Sequence, residues 1–286
     1  MTTLHLLGSG TPTPTPDRYG SAFAVSTGDE LIMFDCGPAA THKLVKAGLW
    51  PTDVEHLFFT HHHYDHNVDY PCFLLCRWDQ NVAQRDNTLQ VFGPPPTTEL
   101  TERLIGPEGV FSPDVNARIN TPMSQRIFVN RGGSLPRLWP VVDAQDITPG
   151  WTHETDGWRV SCAATIHVPY LESVAWRLET GDCTIVFTGD TEPCDTVRDL
   201  AAGADVMVAM CWDHQDQMVA DGEDAGQMGT LAAGGLAQDA GVRNLVLVHT
   251  GPQLARPGSI ERAVGDIREV YKGQVYFGQD VLALEF

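Results

Sequence analysis

The sequence predicts a layered α/β protein with two sheets and outer helices. Two observations carry this expectation. Short apolar runs of β type lead the chain, and later runs alternate with helical patterns. Leu4–Leu7 reads as the first strand, ending at Gly8-Ser9-Gly10 and a proline-rich loop over Thr11–Asp17. Phe23–Ser26 and Leu31–Phe34 read as paired strands about a turn at Thr27-Gly28-Asp29. Thr41–Ala47 is a short helix stopped by Gly48, and His56–Thr60 is a strand running into a histidine cluster. Strands follow at Arg159–His167, Ser173–Glu179, Thr184–Thr188, Asp205–Cys211 and Asn244–His249. Ala225–Asp239 carries Met228, Leu231, Ala232 and Leu236 at helical spacing. Ser259 can cap a last helix whose apolar face is Ile260, Ala263, Val264, Ile267, Val270 and Tyr271. Val275–Phe277 and Val281–Leu284 close the chain as strands.

The stretch 93–150 breaks this rhythm. It holds Pro94-Pro95-Pro96, Gly106-Pro107 and Arg131-Gly132-Gly133, and its periodicity is poor. Long irregular stretches in compact domains are often lids or binding loops. The expectation is one domain over residues 1–286 with this stretch as a lid or insertion.

Composition removes several classes. The chain has 286 residues, 42% hydrophobic and 19% charged, which excludes a disordered tail, a collagen-like chain and a coiled coil. No apolar run suits a membrane span, and Met1–Leu7 lacks the features of a secretory signal. Seven cysteines at scattered spacings fit a reduced, cytoplasmic protein. Cys72 and Cys76 are close, but no second Cys/His pair accompanies them. The net charge of −19 repels polyanions at long range, which weighs against nucleic acid as a partner.

The chemistry gathers at Thr60-His61-His62-His63-Tyr64-Asp65-His66. A hydrophobic strand ends just before it. In extended backbone His61 and His63 project the same way, and His62 points away from them. Imidazoles and a carboxylate on a strand end suit borderline divalent metals such as zinc. Further ligands are available at His167, Asp190 and His249, each at the carboxyl end of an apolar strand, where α/β proteins place their sites. His5, His42, His56 and His153 join no constellation and read as structural or exposed.

Together, His61-x-His63-x-Asp65-His66, His167, Asp190 and His249 resemble the full ligand set of the metallo-β-lactamase superfamily. The opening Leu6-Leu7-Gly8-Ser9-Gly10-Thr11-Pro12, the strand-end Asp35-Cys36-Gly37 and the closing Phe277-Gly278-Gln279-Asp280 resemble its ribonuclease Z and arylsulfatase-like branch. The resemblance implies an α/β fold of the four-layer αββα sandwich type, with two divalent metal ions, zinc first and manganese or iron as alternatives. It implies that His61, His63 and His167 hold one metal, that Asp65, His66 and His249 hold the other, and that Asp190 bridges them. A carboxylate can span two cations, while each of these imidazoles serves one. Asp65 would orient a metal-bridging hydroxide acting as nucleophile. His214, after the strand Asp205–Cys211, is the expected proton donor or substrate contact.

The superfamily cleaves several bond types, so the substrate must be read from the site. Transfer-RNA-processing members project a long arm between the residues matching His167 and Asp190. Here two predicted strands fill that interval. With the acidic charge, this points away from transfer RNA and other nucleic acid. The expectation is therefore a small-molecule substrate with an ester, lactone or cyclic amide bond, then a small phosphodiester or sulfate ester. A transfer-RNA endonuclease and an iron-dependent redox enzyme rank behind these. Arg118, Arg126, Arg131 and Arg137 of the lid could pair with an anionic group of the substrate. Phe73, Trp78, Tyr170 and Trp212 could line an apolar pocket near the metals. A non-catalytic scaffold would usually have lost ligands, and this chain has every one. A homodimer is compatible with the fold, and no membrane partner is expected.

Overall fold

The computed structural model describes residues 1–28, 30–84 and 88–286. Two seven-stranded sheets form its centre. The first contains β1 (Thr2–Ser9), β2 (Ser21–Thr27), β3 (Glu30–Phe34), β4 (Val54–Phe58), β5 (Leu89–Gly93), β6 (Val142–Asp146) and the last strand of the chain, β14 (Leu282–Glu285). Its spatial order is β14-β1-β2-β3-β4-β5-β6. The pairing is antiparallel from β14 to β3 and parallel from β3 to β6. The second sheet contains β7 (Thr152–Glu154), β8 (Trp158–Ala164), β9 (Val174–Thr180), β10 (Thr184–Phe187), β11 (Val206–Met210), β12 (Asn244–Val248) and β13 (Gln274–Phe277). It runs β13-β12-β11-β10-β9-β8-β7, parallel from β13 to β10 and antiparallel onward.

The sheets face one another across an apolar layer. Leu4, Leu6, Phe23, Ile32, Phe34 and Phe58 of the first sheet meet Val160, Trp176, Ile185, Phe187, Val208 and Val246 of the second. The rings of Phe34 and Phe187 stack with centroids 4.1 Å apart. Trp176 is fully buried, and its indole N–H donates to the carbonyl of Phe59 at 3.0 Å, so its polar atom is satisfied inside the core.

Helices cover both outer faces. On the first sheet lie α1 (Ala40–Lys46), α2 (Tyr64–Asn67), α3 (Tyr70–Gln80) and α4 (Thr97–Ile105), burying Leu44, Tyr70, Phe73 and Ile105 against Leu57, Phe59 and Val91. After them come α5 (Ser112–Asn120) and α6 (Pro122–Asn130). On the second sheet lie α7 (Asp195–Leu200), α8 (Gln215–Asp221), α9 (Thr230–Asp239) and α10 (Ser259–Val270). There Ala233, Leu236, Ala263 and Ile267 pack on Met207, Leu245 and Leu247. Helix, sheet, sheet and helix give the expected four-layer αββα sandwich.

Four local readings change. Residues 93–150 hold three helices and the edge strand β6; α5 and α6 each carry proline in the first turn, where its missing N–H costs nothing. The last helical segment but one begins at Thr230, because Gly226 takes a left-handed φ of 73° and Gly229 is extended. Gly258, also left-handed, occupies the cap of α10, so Ser259 is its first residue and makes no side-chain cap. β8 stops at Ala164, which puts His167 in the following loop. The turn expected at Thr27-Gly28-Asp29 falls partly outside the described residues, since Asp29 is not among them.

Candidate metal centre

The residues of the cluster lie at one end of the sandwich, past the carboxyl ends of parallel strands. His61 and His63 follow β4, Asp190 follows β10, and His249 follows β12 directly. His63 remains extended and starts α2, whose first turn supplies Asp65 and His66. Asp35 and His249 adopt positive φ of 57° and 50°. Such backbone is disfavoured in residues with a Cβ and persists where surroundings enforce it, often at functional sites.

The structure brings all seven predicted ligand residues together. One group is His61, His63, His167 and Asp190, the other Asp65, His66 and His249; within each, ligand atoms lie within 4.8 Å of one another. His63 Nδ1 is 3.1 Å from His61 Nε2 and 3.2 Å from His167 Nε2. Asp190 touches both groups. Its Oδ2 is 3.9 Å from His61 Nε2, 3.9 Å from His167 Nε2 and 3.2 Å from His249 Nε2, and its Oδ1 is 3.6 Å from His66 Nε2. Asp65 Oδ2 is 3.2 Å from His249 Nε2 and 3.6 Å from His66 Nε2.

Four features fit divalent cations. His66 Nε2 and Asp190 Oδ1 are buried without a hydrogen-bond partner, a costly state unless something else binds them. Several imidazole nitrogens converge on one another, where they can share a cation better than a proton. Burial, reinforced by the neighbouring His66, pushes His61 well below the ordinary histidine range, so its lone pair is free. Burial works to raise Asp190, but the charges of His249 and His66 hold it well below the usual carboxylate range, as a ligand anion requires.

A second set of residues orients these groups. Asp35 Oδ2 accepts from His66 Nδ1 at 2.7 Å, and Asp35 also accepts from the N–H and hydroxyl of Thr60. The Thr60 hydroxyl is in turn 3.0 Å from His61 Nδ1. His167 Nδ1 donates to the carbonyl of Gly226 at 2.9 Å, while the N–H of Gly226 donates to Glu192. Sequence reasoning quoted Asp35 within a motif without giving it this role, and it missed Thr60, Gly226 and Glu192. Only the position of Asp35 at a strand end hinted at it.

Other expectations land elsewhere. His62 turns away, 2.7 Å from Thr97 Oγ1. His214 joins neither ligand group; it starts α8, buried, with Nδ1 3.1 Å from Asp266 Oδ2. The Trp212 ring lies 6.1 Å from that of His249 and so borders the centre. Phe73 is core under the first sheet, and Tyr170 is 96% exposed. Arg118, Arg131 and Arg137 all pair with Asp79.

The sandwich and its paired His/Asp clusters define a metal-dependent hydrolase with a site for divalent metal ions. The chain belongs to the β-lactamase superfamily: the Beta-lactamase superfamily domain matches residues 31–250. It is 28% identical over 297 residues to ribonuclease Z of Mycobacterium bovis (strain BCG / Pasteur 1173P2), covering 100% of this chain and 98% of that protein. Ribonuclease Z of Mycobacterium marinum is 28% identical over 291 residues, covering 100% and 99%. Among solved structures, the metallo-β-lactamase fold protein YhfI of Bacillus subtilis superposes with a TM-score of 0.75 at 21% identity, covering 100% of this chain and 99% of that one. The short form of human tRNase Z superposes with a TM-score of 0.69 at 18% identity, covering 99% and 98%.

The mycobacterial relatives overturn two expectations. Proteins alignable from end to end with this chain are named for an activity on RNA, so neither the small-molecule substrate nor the exclusion of nucleic acid stands. The physical error was to let a whole-chain charge stand for a local field. A net charge of −19 is a sum over the surface, whereas a phosphodiester meets the potential at the mouth of a site for divalent cations. The interval between His167 and Asp190 is indeed filled by β9 and β10, but that argues only against one way of gripping RNA. Among the described residues, no helix is long and apolar enough to cross a membrane.

Proposed function

We propose that this protein is a ribonuclease Z-type endonuclease that hydrolyses a phosphodiester bond of transfer RNA. The end-to-end similarity to ribonuclease Z carries this reading. In it, His61, His63 and His167 would hold one cation, Asp65, His66 and His249 would hold the second, and Asp190 would serve both. Zinc is the expected metal, because the donors are chiefly imidazoles joined by two carboxylates. Two such cations lower the pKa of water and neutralise charge on a phosphoryl group.

The chain's own residues do the rest. Asp65 orients the attacking water. His214 protonates the leaving oxygen, and Asp266 accepts a hydrogen bond from its Nδ1–H, fixing the tautomer and the ring plane. Tyr64, 52% exposed between two members of the ligand set, and Tyr170, three residues past His167, offer faces on which bases can stack. Seven free cysteines suit a reducing compartment, and we place the protein in the cytoplasm.

The test is cleavage of an end-labelled transfer-RNA precursor by protein of measured metal content, with His63→Ala as control. Discrete metal-dependent cleavage that the variant lacks supports the reading. Fully metal-loaded protein that leaves the RNA intact ends it.

A further inference from the structure

A cavity of about 240 Å³ lies away from the metal centre, between α3 and the segment leading into β6. Trp78, Phe128, Arg137, Leu138, Trp139 and Val141 are among the residues lining it. The two tryptophans are held by their indole N–H groups: Trp78 donates to the carbonyl of Leu138 at 2.9 Å and Trp139 to that of Ile105 at 2.8 Å. Their rings are therefore fixed before any ligand arrives, which lowers the entropic cost of binding. The Arg137 guanidinium is buried, 4.0 Å from the ring centre of Trp78 and 4.7 Å from that of Phe128.

Arg137 also joins a basic cluster. Its Nη2 is 2.8 Å from Asp79 Oδ1, Arg131 Nη1 is 2.9 Å from Asp79 Oδ2, and Arg118 Nη1 is 3.2 Å from Asp79 Oδ1. Arg118 pairs in addition with Asp114. Among the described residues, two carboxylates thus answer three guanidinium groups in this cluster, a local surplus of positive charge on a strongly acidic chain. Arg131 Nη2 also donates to the Asp79 carbonyl and to Gln80 Oε1; Arg118 and Arg131 stand beside the cavity rather than in its lining and remain 45% and 35% exposed along their side chains.

A flat, rigid aromatic lining next to surplus guanidinium groups fits a planar ring that carries a negative charge. We infer that this cavity is a nucleotide-binding site distinct from the metal centre, with the base against Trp78 and Trp139 and the phosphate on Arg118 and Arg131. The ring-bearing anion is taken to be a nucleotide because the ribonuclease reading puts nucleotides within the protein's reach. Cavity, rings and cations stand without that reading.

The experiment titrates the metal-loaded protein with adenosine monophosphate, adenosine and inorganic phosphate, followed by calorimetry and tryptophan fluorescence. The monophosphate quenches fluorescence of the wild type and of His63→Ala alike. Arg118→Ala/Arg131→Ala weakens the monophosphate about tenfold and leaves adenosine unchanged. Val141→Trp, from a side chain that is 66% exposed, fills the cavity and abolishes both events. Displacement by a short RNA oligonucleotide assigns the site to a strand, and failure of the oligonucleotide to compete assigns it to the free nucleotide. No quenching at millimolar nucleotide, or quenching unchanged in Val141→Trp, overturns the inference. RNA cleavage without this binding sinks the inference alone, and binding without cleavage sinks the ribonuclease reading alone.

Discussion

Asp35 accepts a hydrogen bond from His66 Nδ1 at 2.7 Å, from a strand end whose backbone φ is 57°. The bond fixes the ring so that Nε2 points at Asp65 and Asp190. Asp35→Asn keeps the shape but presents an amide to a pocket in which Thr60 and His66 all donate. Cation affinity should fall about 10–100-fold, the usual cost of a lost orienting partner. Competition with a chelating dye measures it, and unchanged affinity would rule out an orienting role for Asp35.

Gly226 is the corresponding partner of His167, and no other residue fits its place. A Cβ there would stand 2.1 Å from the His167 carbonyl oxygen, at a φ of 73°. Gly222 has nearly the same φ, 71°, with nothing near its missing Cβ. Gly222→Ala should therefore show only the left-handed backbone cost of about 1–2 kcal/mol. Gly226→Ala should lose more stability and bind metal more weakly as well. Equal melting temperatures for the two variants would remove the packing argument.

His56 makes stability depend on pH. Burial, helped by the neighbouring His153, lowers its pKa to about 4, against an unfolded value of 6.5. Between those values the unfolded chain takes up a proton that the folded one refuses, so stability falls as pH drops through that window. Urea midpoints should decline less steeply from pH 7 to pH 4.5 in His56→Phe, whose ring can still pack near Phe58 and Trp158. Parallel declines in the two proteins would show that His56 contributes nothing.

In the proposed function, the pairing of His214 with Asp266 separates chemistry from metal binding. His214→Ala should reduce kcat on RNA by about 10²–10⁴ while metal content stays at the wild-type level. Asp266→Asn should cost less and shift the pH profile, because it disturbs the tautomer rather than deleting the donor. A kcat unaffected by the histidine change would dismiss it as proton donor.

Much of this was legible in the sequence because strands and ligand-bearing turns are local. Leu245–Val248 is an apolar run with His249 directly after it, and Asp190 comes three residues after the apolar run Ile185–Phe187. Helices α4 to α6 were not legible: each has nine residues and buries three, one and one of them, too few to print a period. The hold of Gly226 on His167 joins residues far apart in the chain, and nothing in either neighbourhood announces the other. The substrate was misread for a related reason, since a summed charge carries no information about where the charge sits.

The proposed ligand set is divided between the two sheets. His61, His63, Asp65 and His66 hang from the first, whereas His167, Asp190 and His249 hang from the second. Cations gripped from both sides would rivet the halves of the sandwich together, so that loading the centre also resists shear between its layers. Melting temperature would then climb with free cation concentration, and the enzyme's endurance would track the metal supply of its surroundings.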